Sequence, residues 1–146
     1  MAVMSARLEF PVDASAMRRL RGFVADFVSS NALAADDQAR ILIVLEELVT
    51  NLAKYGYRDR AAGSAEVALQ INSGHLTLDF VDDGDPFDPL AIAPPNLDAP
   101  PEERELGGLG IHIVRSLADE VHYARREARN VLHFKRRVTL AAVVNR

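Results

Sequence analysis

The chain has 146 residues, 49% of them apolar and 26% charged, with a net charge of −4 and no cysteine. That balance describes one globular domain with a sizeable core and excludes a disordered or fibrous chain. It also excludes disulfides, thiolate metal sites and a global basic field for nucleic acid or an anionic membrane.

The opening "MAVMSARLEF" lacks the charged, apolar and cleavable sections of a signal peptide. No apolar run approaches the roughly 18 residues that span a bilayer. The expectation is a cytoplasmic protein, with no membrane attachment and no direct nucleic-acid contact. Residues 4–10 alternate loosely up to Pro11 and predict an edge strand. Asp13 is the candidate N-cap of a helix carrying Leu20, Phe23, Val24, Phe27 and Val28 to about Ser30. After "NALAADD", Asp36 or Asp37 caps a second helix, whose stripe Ile41, Leu45, Leu48, Leu52 runs to Gly56. "AEVALQIN" and "HLTLDFVDD" predict two strands around a hairpin turn containing Asn72 and Gly74.

Residues 83–107 lose periodicity and hold six of the seven prolines. A loop that long in a small domain points to a lid or binding loop. A helix from Ile111 to about Ala118 and strands around 119–126 and 130–138 complete the chain. Helices grouped before and between paired strands predict an α+β two-layer sandwich, a mainly antiparallel sheet covered on one face by helices, as a single domain over 1–146. The four histidines show no metal-ligand spacing. "RREAR" and "KRR" form a solvated strand edge or a docking surface for an acidic partner. The tail "VTLAAVVNR" is too apolar for a free end, so it either extends the last strand or packs in a homodimer.

Three constellations carry chemistry. Glu47 and Asn51, four apart, project from one helix face. They either meet solvent or share a site, where a carboxylate could poise a hydroxyl for phosphoryl transfer while an amide oxygen completes a Mg²⁺ shell. "VDDGDPFDP" ends a strand in Asp-x-Gly. It is either a polar turn or a device that aims Asp82 at an exocyclic amine, with Gly84 clearing space for a flat ligand. "GGLGIHIV" is either a hinge or a glycine-opened helix start with backbone N–H groups free for an anion. It is neither a Walker loop nor a Rossmann fingerprint. In this order the elements make a coherent nucleotide pocket: metal, base, lid and phosphate.

In these segments the chain resembles the GHKL (Bergerat-fold) ATPases. "EELVTNLAKYGY" looks like their N box, "DDGDPFDP" like their G1 box and "GGLGIHIVRSLADEV" like their G2 box. The Asp-x-Gly-x-Pro-Phe-Asp-Pro form and "ADEV" are most similar to the anti-sigma-factor serine/threonine kinases, the RsbW/SpoIIAB-like group. The resemblance implies an ATP- and Mg²⁺-dependent protein kinase that is also an anti-sigma factor. Its partners would be a sigma factor and a STAS-domain antagonist, which it phosphorylates. It further implies Glu47 as general base and Asn51 as Mg²⁺ ligand and ATP contact. Asp82 and Gly84 would form the adenine site, and Gly108, Leu109 and Gly110 would hold phosphate beneath a lid over about 85–107. The alternative is a nucleotide-gated binding regulator with little or no kinase activity. The pattern is departed from at Tyr55, where a histidine is frequent, and at Leu106, where an arginine is common and Arg104 lies nearby. "NVLHFKRR" also lacks the usual Gly-Thr pair.

Overall fold

The computed structural model describes residues 4–92, 98 and 106–140, and of residues 106–109 the backbone. β1 (Met4–Pro11) leads into α1 (Ala16–Ser30) and α2 (Ala35–Tyr55), followed by the hairpin β2 (Ser64–Asn72) and β3 (His75–Asp82). A 3₁₀ turn at Pro89–Ala91 precedes α3 (Leu106–Leu117), and β4 (Glu120–Arg126) with β5 (Arg129–Arg137) closes the order. The strands form one antiparallel sheet in the order β1-β2-β3-β5-β4.

Alternation decides which face is covered. Val67, Leu69 and Ile71 of β2, Leu76, Leu78 and Phe80 of β3, and Leu132 and Phe134 of β5 are all buried. They meet Leu20, Val24 and Phe27 of α1, Ile41, Val44, Leu45 and Leu48 of α2, and Ile111 and Val114 of α3. Burying each such side chain contributes about 1.5–3 kcal/mol before chain entropy is charged against it. The opposite sheet face carries partly exposed residues such as Glu66, Gln70, Thr77, Asp79 and His133. This is the two-layer sandwich that the periodicity predicts.

Both hairpin turns place two central residues at positive φ: Ser73 (53°) with Gly74 (78°), and Glu127 (51°) with Ala128 (62°). These are tight turns whose twist matches the strands they join. Only the first carries a glycine where the backbone asks for one.

Helix starts differ from the sequence reading. Asp13 is not the cap of α1; its Oδ1 accepts the Ser15 N–H (2.7 Å) and hydroxyl (2.5 Å) and so fixes the turn before the helix. α2 starts after Ala34, so Asp36 and Asp37 sit inside its first turn, where carboxylates meet the positive end of the dipole. Asp37 is buried and answers Arg40 at 3.2 Å and Arg136 at 3.9 Å. α3 begins at Leu106, five residues before the predicted Ile111, because the helix runs through the glycines instead of opening after them. The last strand ends at Arg137, and Leu140 pairs instead with Leu33 in an isolated antiparallel bridge. Residues 141–146 lie outside the described part. Arg125 and Arg136 of the basic stretches are braces as well as surface charges: Arg125 donates to the Gly84 carbonyl (2.8 Å) and Arg136 to that of Leu117 (2.7 Å).

Candidate functional site

The C-terminal half of α2, the end of β3 and the start of β5 line a cleft that is partly open to solvent. Its apolar wall is Leu48, Leu52, Phe80, Phe87 and Leu132; its polar groups include Asn51, Asp82, Asp85 and Asn130. A mostly apolar cavity with a few convergent polar groups is the usual form of a small-molecule site.

Asp82 reaches the cleft because β3 alternates. With Leu76, Leu78 and Phe80 facing the helices, the next residue on that face is Asp82, 8% exposed. Its Oδ1 accepts the Gly84 N–H at 2.8 Å and Asn130 Nδ2 at 2.9 Å. Burial pushes its carboxyl above the usual range, while the Asn130 and Gly84 donors pull it back. Neither of those bonds uses Oδ2, which is left as an acceptor for a ligand.

The structure gives Gly84 a packing reason beside the predicted one. A Cβ there would lie 2.8 Å from Leu52 Cδ1 and 3.1 Å from the Gly56 Cα. The missing side chain therefore makes room for the end of α2 as well as for anything in the cleft. The Asp85 N–H donates to the Gly56 carbonyl at 2.8 Å, tying the same two segments together.

Asn51 is 4% exposed, and among the described residues its Nδ2 makes no hydrogen bond of good geometry, although it lies near enough to the Glu47 carboxylate to favour that group's ionised form. A buried amide left unpaired costs stability unless a ligand answers it. Glu47, one turn earlier on α2, does not line the cleft. Burial raises its carboxyl above the ordinary 4.5, opposed by Asn51 and Lys54 and reinforced by Glu46. Gly110 lies directly against this carboxylate, so a Cβ at Gly110 would overlap it. The structure thus puts Asn51 and Asp82 in one cleft, with Glu47 and Gly110 against each other outside its lining, one helical turn back from Asn51. Gly110 is the fifth residue of α3, one turn inside the helix, and not at a glycine-opened start. Gly108 and Leu109 lie in the first turn of α3; their side chains and Arg104 fall outside the described residues. So does most of the predicted lid, while Asp85 to Ile92 packs down through Pro89, buried, and Leu90.

The donors fit a divalent cation carried in by phosphates, not one caged by protein. Among the described residues no group of three His, Cys, Asp or Glu converges. Mg²⁺ commonly takes one or two protein oxygens, completing its shell with phosphate and water; the Asn51 amide at the cleft wall is such a donor.

Three features escaped sequence reasoning. Asn130, 5% exposed and directly opposite Asp82 in the β3–β5 register, bonds Asp82, the loop backbone and Tyr123. Tyr55 stacks on Phe87 with ring centroids 5.0 Å apart. Tyr57 donates to Asp83, whose carboxyl is held below the usual range despite burial by that bond and the Ser64 N–H. An asparagine beginning a strand that otherwise reads as core was the available signal for the first; the others depend on which loops meet.

Residues 10–136 match the histidine kinase-like ATPase domain family. Curated relatives are the serine-protein kinases RsbW of Oceanobacillus iheyensis, 26% identical over 54% of this chain and 52% of its own length, and of Bacillus thuringiensis, 23% identical over 88% and 82%. The chain thus spans about half of the first relative's length. Among solved structures, the RsbU and RsbW domains of Rv1364c from Mycobacterium tuberculosis share the fold over 97% of this chain and 35% of that one, at a TM-score of 0.68 and 15% identity. A blue-light activated histidine kinase of Erythrobacter litoralis does so over 88% and 42%, at 0.55 and 19%.

Proposed function

Because the chain belongs to the histidine kinase-like ATPase domain family, we propose that it binds ATP in the cleft and phosphorylates a serine or threonine of a partner protein. The partner is a STAS-domain antagonist, and in its other state the protein holds a sigma factor, so that phosphorylation switches partners. The observation that carries the reading is the shared cleft: Asn51 and Asp82 line one cavity, with Glu47 a single helical turn from Asn51.

Asp82 accepts the exocyclic amine of adenine through the oxygen left free by Gly84 and Asn130. Asn51 would hold the Mg²⁺ that travels with the phosphates, which when bound would supply charge neutralisation there. Gly108, Leu109 and Gly110 contact the phosphates. Glu47 accepts the proton of the attacking hydroxyl as its oxygen bonds to the γ-phosphorus; the bond to the β-phosphate oxygen breaks and ADP leaves. The raised carboxyl of Glu47 suits this task, since a stronger base takes a proton more readily.

One observation favours the second reading, a nucleotide-gated binding regulator with little transfer. Gly110 lies against one side of the Glu47 carboxylate, which narrows the approach of a hydroxyl while α3 keeps its first turn. Transfer of labelled γ-phosphate to a STAS-domain partner separates the two. The kinase reading expects acid-stable phosphate on the partner, lost in Glu47→Ala with ATP binding retained. Wild type that binds ATP but leaves the partner unmodified identifies the regulator.

A further inference from the structure

The amide of Asn130 has its orientation decided by groups that cannot change roles. Its Nδ2 donates to the Asp85 carbonyl at 2.8 Å and to Asp82 Oδ1 at 2.9 Å, with a longer contact to the Gly84 carbonyl at 3.4 Å. Its Oδ1 accepts the Tyr123 hydroxyl at 2.5 Å and the Phe87 N–H at 3.3 Å. A backbone carbonyl can only accept and a backbone N–H can only donate, so the amide cannot flip without breaking both. Asp82 Oδ1 therefore faces two fixed donors, Nδ2 of Asn130 and the N–H of Gly84. Two fixed donors favour an ionised carboxyl group, which is an acceptor at every lone pair.

We propose that Asn130 is the positioning residue for base choice: by donating to Asp82 Oδ1 it keeps that carboxyl group an acceptor, so the cleft takes a 6-aminopurine nucleotide and rejects a 6-oxopurine one. The inference rests on the nucleotide reading above and adds to it a residue that no motif singled out. A 6-amino group gives Asp82 Oδ2 a hydrogen; a 6-oxo group at the same place sets oxygen against oxygen. Without the Asn130 donor, the burial of the site, the Gly84 N–H and the neighbouring charges of Asp83 and Arg125 are left to decide the state of Asp82. A protonated Asp82 would then give a hydrogen to the 6-oxo group, and discrimination would fall.

The test is calorimetric binding of Mg-ATP and Mg-ITP, which differ at the 6-position, to the full chain and its variants. Wild type is expected to favour ATP by about 100-fold or more, since a polar site rejects the analogue that leaves its groups unpaired. Asn130→Ala should lower that ratio at least about tenfold, whatever happens to either affinity alone, and Asn130→Ser, which restores a hydroxyl donor, should recover part of it. If the alanine variant does not fold, Tyr123→Phe is used, because it removes one bond to Asn130 Oδ1 and leaves Asp82 untouched; the ratio should move the same way. A purely structural role would weaken both nucleotides alike, and an unchanged ratio in a folded variant overturns the assignment of Asn130. Wild type that binds neither nucleotide overturns the nucleotide reading itself.

Discussion

The two ends of the cleft are built on opposite plans. At the Asp82 end the polar groups are tied together: Asp82 Oδ1, Asn130, Tyr123 and the carbonyls of Gly84 and Asp85 form one network, braced from outside by Arg125, with Asp82 Oδ2 outside its bonds. At the Asn51 end a buried amide nitrogen makes no hydrogen bond of good geometry, and one helical turn back a carboxylate sits against a glycine. Pairing makes the first end rigid before any ligand arrives; the second keeps unspent hydrogen-bonding capacity for one. The lesson is that a tightly paired side and a side with an unanswered amide can line one cleft without sharing a design.

The sharpest way to break that comparison is at Glu47. Glu47→Gln should lower phosphate transfer by about 10²–10⁴-fold with ATP affinity nearly unchanged, because general-base loss has that size. The rate of the wild type should decline on the acid side with a midpoint above 4.5, since burial raises this carboxyl and only its ionised form accepts a proton. A pH–rate profile in which that limb survives in Glu47→Gln assigns the base elsewhere.

Asp82→Asn tests the paired end. Nucleotide affinity should drop on the order of 100-fold, as an amide no longer favours the amine. Stability should hold or rise. The folded carboxyl is raised by burial, so its ionised form is disfavoured in the fold at neutral pH, and that penalty disappears as pH falls through its folded value. The amide never carries it and can still accept from Gly84 and Asn130. A urea midpoint well below wild type would contradict this.

Gly84→Ala should cost about 1–3 kcal/mol, the range for forcing a methyl into a packed contact, here against Leu52 and the Gly56 backbone. Thermal unfolding measures it; a neutral result would mean that α2 yields freely at its C-terminus. The smallest effect expected is that of Asn51→Leu on stability, neutral to about 1 kcal/mol favourable, because it removes an unpaired buried amide. The same variant should lose the magnesium dependence of ATP binding by calorimetry.

Much of this architecture was legible in the chain. The stripe Ile41, Leu45, Leu48, Leu52 and the alternation of β2 and β3 each left one burial solution, and Ser73–Gly74 marks its hairpin. Glu47, Asn51 and Asp82 could be chosen because each is polar at a position whose neighbours are apolar. The start of α3 was misread because glycines count against a helix by propensity. Here Ile111 and Val114 are buried in the core, and only a residue without Cβ fits beside Glu47. The Asn130 network was illegible for another reason: apart from Tyr123, its partners lie 43 to 48 residues away, and the register of β3 on β5 makes them neighbours.

Asn130 lies two residues past the Glu127–Ala128 corner, which joins β4 to β5, while β3 holds β5 on its other side residue for residue. A slip of β5 by one residue along β3 would turn over the whole strand, because side chains switch faces with every step. Val131 would then look into the cleft, and the amide that steadies Asp82 would be stranded on the far side of the sheet among Thr77, Asp79 and His122. One step along a neighbouring strand, touching no ligand, would blind the molecule to the nucleotide we propose for it.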